Sequence, residues 1–170
     1  GEGRYPDIVA DPVVSGTDLY TSGYFRPLVA IDLPSRNIRW RLDVGSANPI
    51  AIGDQDGASV IYHPGTDGKL RGVSALTGAE LWVWDSGTRG ALTTPVDTKA
   101  GLLVASSEGV VYLVDPTDGA EVWRWKESWQ LQGVSSTPVI AGRQLLFVSN
   151  AGMLYSMIVP RPQAERERRG

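Results

Sequence analysis

Residues 111–123 read Val-Tyr-Leu-Val-Asp-Pro-Thr-Asp-Gly-Ala-Glu-Val-Trp. β-Branched and aromatic residues favour a strand at each end of this stretch. The Asp-Gly pair between them favours a tight hairpin, because glycine accepts a positive φ without a Cβ clash. The same spacing, Asp or Ser followed eight residues later by Trp, occurs three times in the chain: Asp32–Trp40, Ser74–Trp82 and Asp115–Trp123. The stretch therefore belongs to a repeat.

Four prolines mark the start of the repeated unit: Pro12, Pro49, Pro95 and Pro138. The position aligned with Asp115 follows the proline by 20 residues in units one, three and four, and by 25 in unit two. Repeats of roughly 40 residues with several short strands are typical of propeller blades. We therefore predict an all-β fold, a β-propeller with about four blades of four antiparallel strands each.

The unit boundaries follow from these spacings. We predict propeller repeats over 7–45, 46–87, 88–133 and 134–158, and a polar, charged tail over 159–170. The last unit is expected to lack its outer strand, because the position that should hold a fourth Trp is Arg166, and this leaves fifteen strands. In the first unit Arg36 takes the place of the hairpin glycine, so we expect that turn to be altered.

Composition excludes several classes of function. The chain has 170 residues, a net charge of −3, one histidine and no cysteine. No basic stripe points to nucleic acid, and disulfides and thiolate metal sites are excluded. No run of 18 apolar residues points to a membrane-spanning helix, and no signal peptide is visible, so we expect a processed chain or a fragment.

The sequence offers no convincing catalytic or metal-binding residues. His63, beside a proline and a glycine, is interpreted as a turn residue and would have to serve every proton transfer alone. Residues 54–57, Asp-Gln-Asp-Gly, start like a calcium loop but lack the downstream glutamate, which favours a surface turn. Trp40, Trp82 and Trp123 are interpreted as structural plates between blades, and stacking on a ligand ring is the alternative.

Loop-length variation indicates which face binds a partner. With strands A to D counted outward, the B–C and D–A loops share one face. The five extra residues of unit two are assigned to its B–C loop around 63–68, and the D–A loops also vary. We predict a partner surface from residues on this face: Asp7, His63, Asp67, Arg89 and Trp129. For Trp129, packing against a blade edge is equally open.

Residues 75–82 and 113–123 carry the pattern Ala-x-Asp-x-x-Thr-Gly-x-x-x-Trp in part. This pattern resembles the tryptophan-docking repeat of quinoprotein-type eight-bladed propellers. Within that superfamily, residues 4–14 and 150–158 resemble the entry into the fifth blade and the last strand of the outer-membrane protein assembly factor BamB family. The resemblance therefore implies that the chain is the C-terminal half of an eight-bladed propeller.

This resemblance implies a periplasmic, outer-membrane-associated scaffold with no catalytic activity and no cofactor. Such a scaffold binds a POTRA domain of a BamA-like barrel protein and assists insertion of β-barrel proteins. Asp7 matches the first member of an acidic pair at the family's interface, and Val9 stands in place of the second. The alternatives are a fragment of a dehydrogenase that binds pyrroloquinoline quinone with Ca²⁺, or a ligand-sensing extracytoplasmic propeller.

A chain of about four blades is expected to leave two blade faces open. Each face would expose several hundred Å² of largely apolar surface, an order of magnitude that favours association. We expect the missing N-terminal half or a second copy of the chain to close the propeller.

Overall fold

A computed structural model describes residues 10–126 and 133–158. These residues form four antiparallel sheets, and no helix occurs among them. The first sheet contains β1 (Val13–Ser15), β2 (Asp18–Gly23), β3 (Arg26–Asp32) and β4 (Asn37–Leu42). The second contains β5 (Ala51–Gln55), β6 (Ala58–Pro64), β7 (Lys69–Ser74) and β8 (Glu80–Asp85). The third contains β9 (Val96–Thr98), β10 (Gly101–Ala105), β11 (Val110–Val114) and β12 (Glu121–Lys126). The fourth contains β13 (Val139–Ala141), β14 (Gln144–Val148) and β15 (Leu154–Ile158).

Each sheet is a meander in which consecutive strands pair, as expected of a propeller blade. We call the sheets blades 1 to 4 and their strands A to D in chain order. Strands A of blades 2 and 3, β5 and β9, contact each other directly, so the first strands are innermost. The predicted all-β fold of antiparallel blades is therefore confirmed. A fourth strand of blade 4 would fall beyond the described residues, and the unit boundaries remain predictions.

The core lies between neighbouring blades. Three apolar clusters fill the successive joints, and they contain buried residues from both blades of each pair. In blade 3, consecutive strand residues alternate between the two joints: Leu102 and Val104 face blade 2, whereas Leu103 and Ala105 face blade 4. This alternation follows from the two-residue period of a strand, so both faces of an internal blade must be apolar.

Two of the repeated tryptophans join one blade to the next in the same way. The Trp40 indole N–H donates to the Ala75 carbonyl at 2.9 Å, and the Trp82 indole N–H donates to the Pro116 carbonyl at 2.9 Å. Each ring lies flat against a turn glycine, Gly78 or Gly119, where an added Cβ would come within 2.6 Å of the ring. This geometry supports the structural interpretation of these side chains, because a glycine is required beneath the indole.

The C–D turn of blade 1 differs from our expectation. Arg36 adopts a φ of 59°, close to the 74° and 75° of Gly78 and Gly119. Its amide donates to the Asp32 carbonyl at 2.7 Å, as the glycine amides do in the other two turns. The prediction of an altered turn is therefore wrong, since the arginine accepts the left-handed backbone that glycine adopts elsewhere.

The five extra residues of the second unit are not in its B–C loop. The turn between strands A and B starts four residues after the framing proline in blades 1, 3 and 4, but seven residues after it in blade 2. β5 and β6 have five and seven residues, compared with three and five in β9 and β10. The insertion therefore lengthens the A–B hairpin, on the face opposite the B–C turns. The added residues pair across the two strands, and every second pair forms ladder hydrogen bonds.

The tip of this long hairpin is the Asp-Gln-Asp-Gly stretch. Asp56 and Gly57 have φ values of 53° and 82°, and the Gly57 amide donates to the Asp54 carboxylate at 3.0 Å. These are the left-handed dihedrals of a tight hairpin turn, which confirms the predicted surface turn. The Gln55 side-chain amide donates to the Pro116 carbonyl, so the hairpin also contacts the C–D turn of blade 3.

Candidate functional site: the loop face

The B–C turns and the segments that connect consecutive blades lie on one side of the molecule, which we call the loop face. Its described B–C turns are residues 24–25, 65–68, 106–109 and 149–153, and its described connecting segments are residues 43–50, 86–95 and 133–138. The opposite side carries the A–B and C–D turns. Of the three described residues predicted to bind a partner, Asp67 and Arg89 lie on the loop face.

A repeated hydrogen bond fixes the B–C turns of blades 2, 3 and 4 to the connecting segment before each of them. The second residue of the turn donates its backbone amide to a carbonyl of that segment at 2.9–3.0 Å: Thr66 to Gly45, Ser107 to Ala91 and Asn150 to Gly133. The same segments also donate back to the preceding blade, through Ser46 to Gly23 at 3.0 Å and Ser86 to Gly68 at 3.2 Å. The loop face is thus a continuous hydrogen-bonded surface rather than a set of independent loops.

Asp67 is exposed on the loop face, but its carboxylate is already engaged. Both of its oxygens accept from the guanidinium of the buried Arg71, at 3.0 and 2.6 Å. These hydrogen bonds are the main reason why the pKa of Asp67 lies below its usual value. Arg71 also donates to Glu80 at 2.8 Å, so Asp67 is one end of a bridge that reaches the outer strand.

Arg89 is exposed in the segment that connects blades 2 and 3. Its backbone amide donates to the Glu108 carboxylate at 2.9 Å, which ties this segment to the B–C turn of blade 3. Its guanidinium forms no ion pair with any residue in the ranges 10–126 and 133–158. Arg89 therefore offers a cation on the loop face. The other two predicted partner residues, Asp7 and Trp129, lie outside the described residues.

His63 is not a turn residue. It pairs with Arg71 within the β6–β7 ladder, and its side chain is 0% exposed. Neither ring nitrogen has a hydrogen-bond partner among the described residues. Burial, and secondarily the nearby Arg71 cation, lower the pKa of His63 to about 4. The turn interpretation is wrong because β6 continues through Pro64, and a buried imidazole presents no atom to a partner on this face.

The polar pair of His63 and Arg71 makes the first joint different from the others. At the matching places, Trp84 packs edge-on against Tyr112 between blades 2 and 3, and Trp125 packs against Phe147 between blades 3 and 4. Aromatic contacts of this type stabilise by about 0.5–1.5 kcal/mol beyond their buried area. Between blades 1 and 2, Leu42 stands in place of the tryptophan, and His63 and Arg71 stand in place of its aromatic partners. No aromatic ring pair joins the described residues of these two blades.

The sequence interpretation missed an aromatic pair on the loop face. Tyr24 and Phe25 form the B–C turn of blade 1, and the Phe25 side chain is 88% exposed. The two rings meet edge to face with centroids 4.5 Å apart. Alignment of the four units could have found them, because the positions that match Phe25 are Asp67, Glu108 and Ala151. A phenylalanine at a turn position where the other units carry polar or small residues is the signal that could have indicated this site.

The described residues contain no group of His, Cys, Asp or Glu side chains arranged to hold a metal ion. None of the described segments is a helix long and apolar enough to cross a membrane.

Meander blades joined by docked tryptophans define this chain as a β-propeller of the tryptophan-docking type. It belongs to the family whose model is described as outer membrane protein assembly factor BamB, and that model matches residues 66–158.

Individual relatives extend this match over most of the chain. BamB of Yersinia pestis is 30% identical over 153 residues, which cover 90% of this chain and 37% of that protein. The crystal structure of BamB from Moraxella catarrhalis superposes with a TM-score of 0.71 at 20% identity, covering 89% of this chain and 46% of that one. A quinohemoprotein alcohol dehydrogenase from Comamonas testosteroni has a TM-score of 0.54 at 21% identity, over 70% of this chain and 21% of that one. The chain thus spans well under half the length of the curated relative, and both structural matches show the fold alone.

Proposed function

We propose that this chain is part of a non-catalytic scaffold that assists the assembly and insertion of β-barrel proteins into the outer membrane. The family match supports the general role in outer membrane protein assembly. The loop face is the observation that carries the scaffold assignment, because its turns are held by repeated backbone hydrogen bonds and present charged and aromatic side chains. A surface already ordered before binding loses little conformational entropy when a partner docks.

The partner in this proposal is a POTRA domain of a BamA-like barrel protein, which places the chain in the periplasm at the outer membrane. Arg89 supports this assignment because it is an exposed cation on the loop face that forms no ion pair within residues 10–126 and 133–158. Asp67 is held in place on the same face by its ion pair with Arg71. Asp7 and Trp129 remain proposed contacts. Closure of the ring by an N-terminal half or a second copy is part of the same proposal.

A binding measurement with purified components tests the scaffold role. We expect the chain to bind the periplasmic POTRA domains of a BamA-like protein in isothermal titration calorimetry. Arg89→Gln is expected to weaken binding, and Arg41→Gln is the matched control, because Arg41 is exposed on outer strand β4 and pairs with Asp43 there. Absence of binding by the unaltered chain would overturn the proposed partner.

The alternative of a pyrroloquinoline quinone enzyme rests on the likeness to dehydrogenases, and this likeness is one of fold. Addition of the quinone with Ca²⁺, followed by the absorbance of the quinone, separates the two functions. The scaffold proposal expects no saturable binding, and saturable binding would favour the enzyme.

A further inference from the structure

We propose that Tyr24 and Phe25 anchor the protein partner on the loop face, with Phe25 inserting into an apolar pocket that is bordered by a carboxylate. This inference rests on the proposed scaffold function and assigns the residues through which the chain contacts its partner. Aromatic residues of this kind dominate the binding free energy of many protein interfaces, while the contacts around them exclude water.

Exposure is the first observation that supports an anchor. Phe25 has the largest exposed fraction of the large apolar residues among the described residues, 88%, and Tyr24 is 45% exposed. A phenylalanine at a hairpin tip gains nothing from solvent, and the other three B–C turns carry Asp, Glu or Ala at this position. Phe25 is not a member of the apolar cluster between blades 1 and 2, and the Trp40 indole docks on Ala75 of blade 2.

Rigidity is the second observation. The Ser46 amide donates to the Gly23 carbonyl at 3.0 Å, just before the aromatic pair. Gly45 packs so closely on the Tyr24 carbonyl that an added Cβ would overlap it. The edge-to-face contact with Tyr24 then orients the Phe25 ring. The turn and its rings are therefore ordered before a partner arrives, which lowers the entropy cost of docking.

Charge indicates the chemistry of the partner. Arg26 follows Phe25 directly, is exposed, and forms no ion pair within residues 10–126 and 133–158. A carboxylate at the edge of the partner's pocket would complement this cation and steer association. A protein fits better than a lipid surface, because the chain has a net charge of −3 and acidic residues occupy the matching turns of blades 2 and 3. Anionic membranes attract clusters of basic residues instead.

The test compares Phe25→Ala with Leu76→Ala in binding to the POTRA domains of a BamA-like protein. Leu76 is a matched control, since it is 76% exposed in a turn on the opposite face. We expect Phe25→Ala to weaken binding at least about tenfold, as for an interface anchor. Leu76→Ala should change the affinity less than about twofold. Arg26→Gln should reduce the salt dependence of association.

The outcomes separate this inference from the function on which it rests. If the unaltered chain fails to bind the POTRA domains, both are overturned. If it binds and Phe25→Ala binds equally well, the scaffold role stands and the anchor is wrong. A lower unfolding midpoint for Phe25→Ala than for Leu76→Ala would mean that Phe25 packs against its own chain, and would overturn the anchor. Phe25-dependent binding to phosphatidylethanolamine–phosphatidylglycerol vesicles, without POTRA binding, would assign the pair to the membrane instead.

Discussion

The buried imidazole of His63 makes a sharp prediction about acid stability. Its pKa is about 4 in the folded chain, compared with an ordinary value of 6.5 that we take for the unfolded chain. Because the folded state resists protonation of His63, the contribution of this residue to the free energy of unfolding is fully present above pH 6.5, and it is lost as the pH drops from there toward 4. Between pH 7.5 and pH 5 the loss from this residue amounts to about 2 kcal/mol, or about 4–8 °C in Tm for a domain of this size.

His63→Val is the perturbation that isolates this effect. Val104 occupies the matching position of blade 3 and is fully buried, so the fold accepts valine there. Urea unfolding of both proteins at pH 7.5 and pH 5 gives two free-energy differences. We expect the difference for the unaltered chain to exceed that for His63→Val by about 2 kcal/mol. Acid effects from other carboxylates, such as the low pKa of Asp67, largely cancel in this comparison.

A direct titration provides the refuting result. The chain has one histidine, so its imidazole proton signals need no assignment in an NMR titration. We expect these signals not to shift between pH 7.5 and pH 5 while the chain stays folded. A midpoint near 6.5 in the folded chain, or equal pH dependence of the two proteins, would refute the reasoning from burial.

Three further predictions concern the blade joints and the loop face. Trp82→Ala should lower the free energy of unfolding by about 3–5 kcal/mol in urea titration, because Trp82 is 8% exposed and the substitution removes both its packing and its hydrogen bond to Pro116. A loss below about 1 kcal/mol would contradict its docking role. Gly78→Ala should lower the unfolding midpoint more than Gly16→Ala does in thermal unfolding. Both glycines have positive φ, but an added Cβ meets the Trp40 ring at Gly78 and open space at Gly16. Equal losses would contradict the steric argument. Ser86→Ala should lower the free energy of unfolding by about 1 kcal/mol and speed hydrogen exchange at the Thr88 amide. The reason is that the Ser86 hydroxyl donates to the Gly68 carbonyl at 2.6 Å and accepts from the Thr88 amide. Unchanged exchange would show that this contact does not hold the loop face.

The repeat could be predicted because it appears as spacing. The eight-residue intervals that end at Trp40 and Trp82 place the indole of one blade over the turn glycine of the next, and both signals are present in the residues themselves. The matching turn for Trp123 lies outside the described residues. The position of the inserted residues could not be predicted in the same way. The interval from Pro49 to Ser74 gives the number of inserted residues. It does not indicate which hairpin contains them, because their position depends on how the strands pair.

The site was predicted less well because the exposure of a side chain near a turn depends on the residue at which each strand ends. Pro64 and Gly65 suggested a turn at His63, but cross-strand pairing with Leu70 keeps β6 extended through Pro64 and buries the imidazole. Phe25 shows the opposite case. An aromatic residue is usually buried, and its exposure becomes evident when the register of β2 and β3 leaves Tyr24 and Phe25 alone in a two-residue turn.

Arg36 has a consequence for the order in which blades can be joined. It occupies the place of Gly78 and Gly119 in a turn of the same geometry, so its Cβ stands where the other two turns receive an indole. A blade set in front of blade 1 cannot insert a tryptophan there as Trp40 and Trp82 do between their blades. A neighbour docked on this side of blade 1 would therefore need a contact at Arg36 that differs from the indole-on-glycine contact of Trp40 and Trp82.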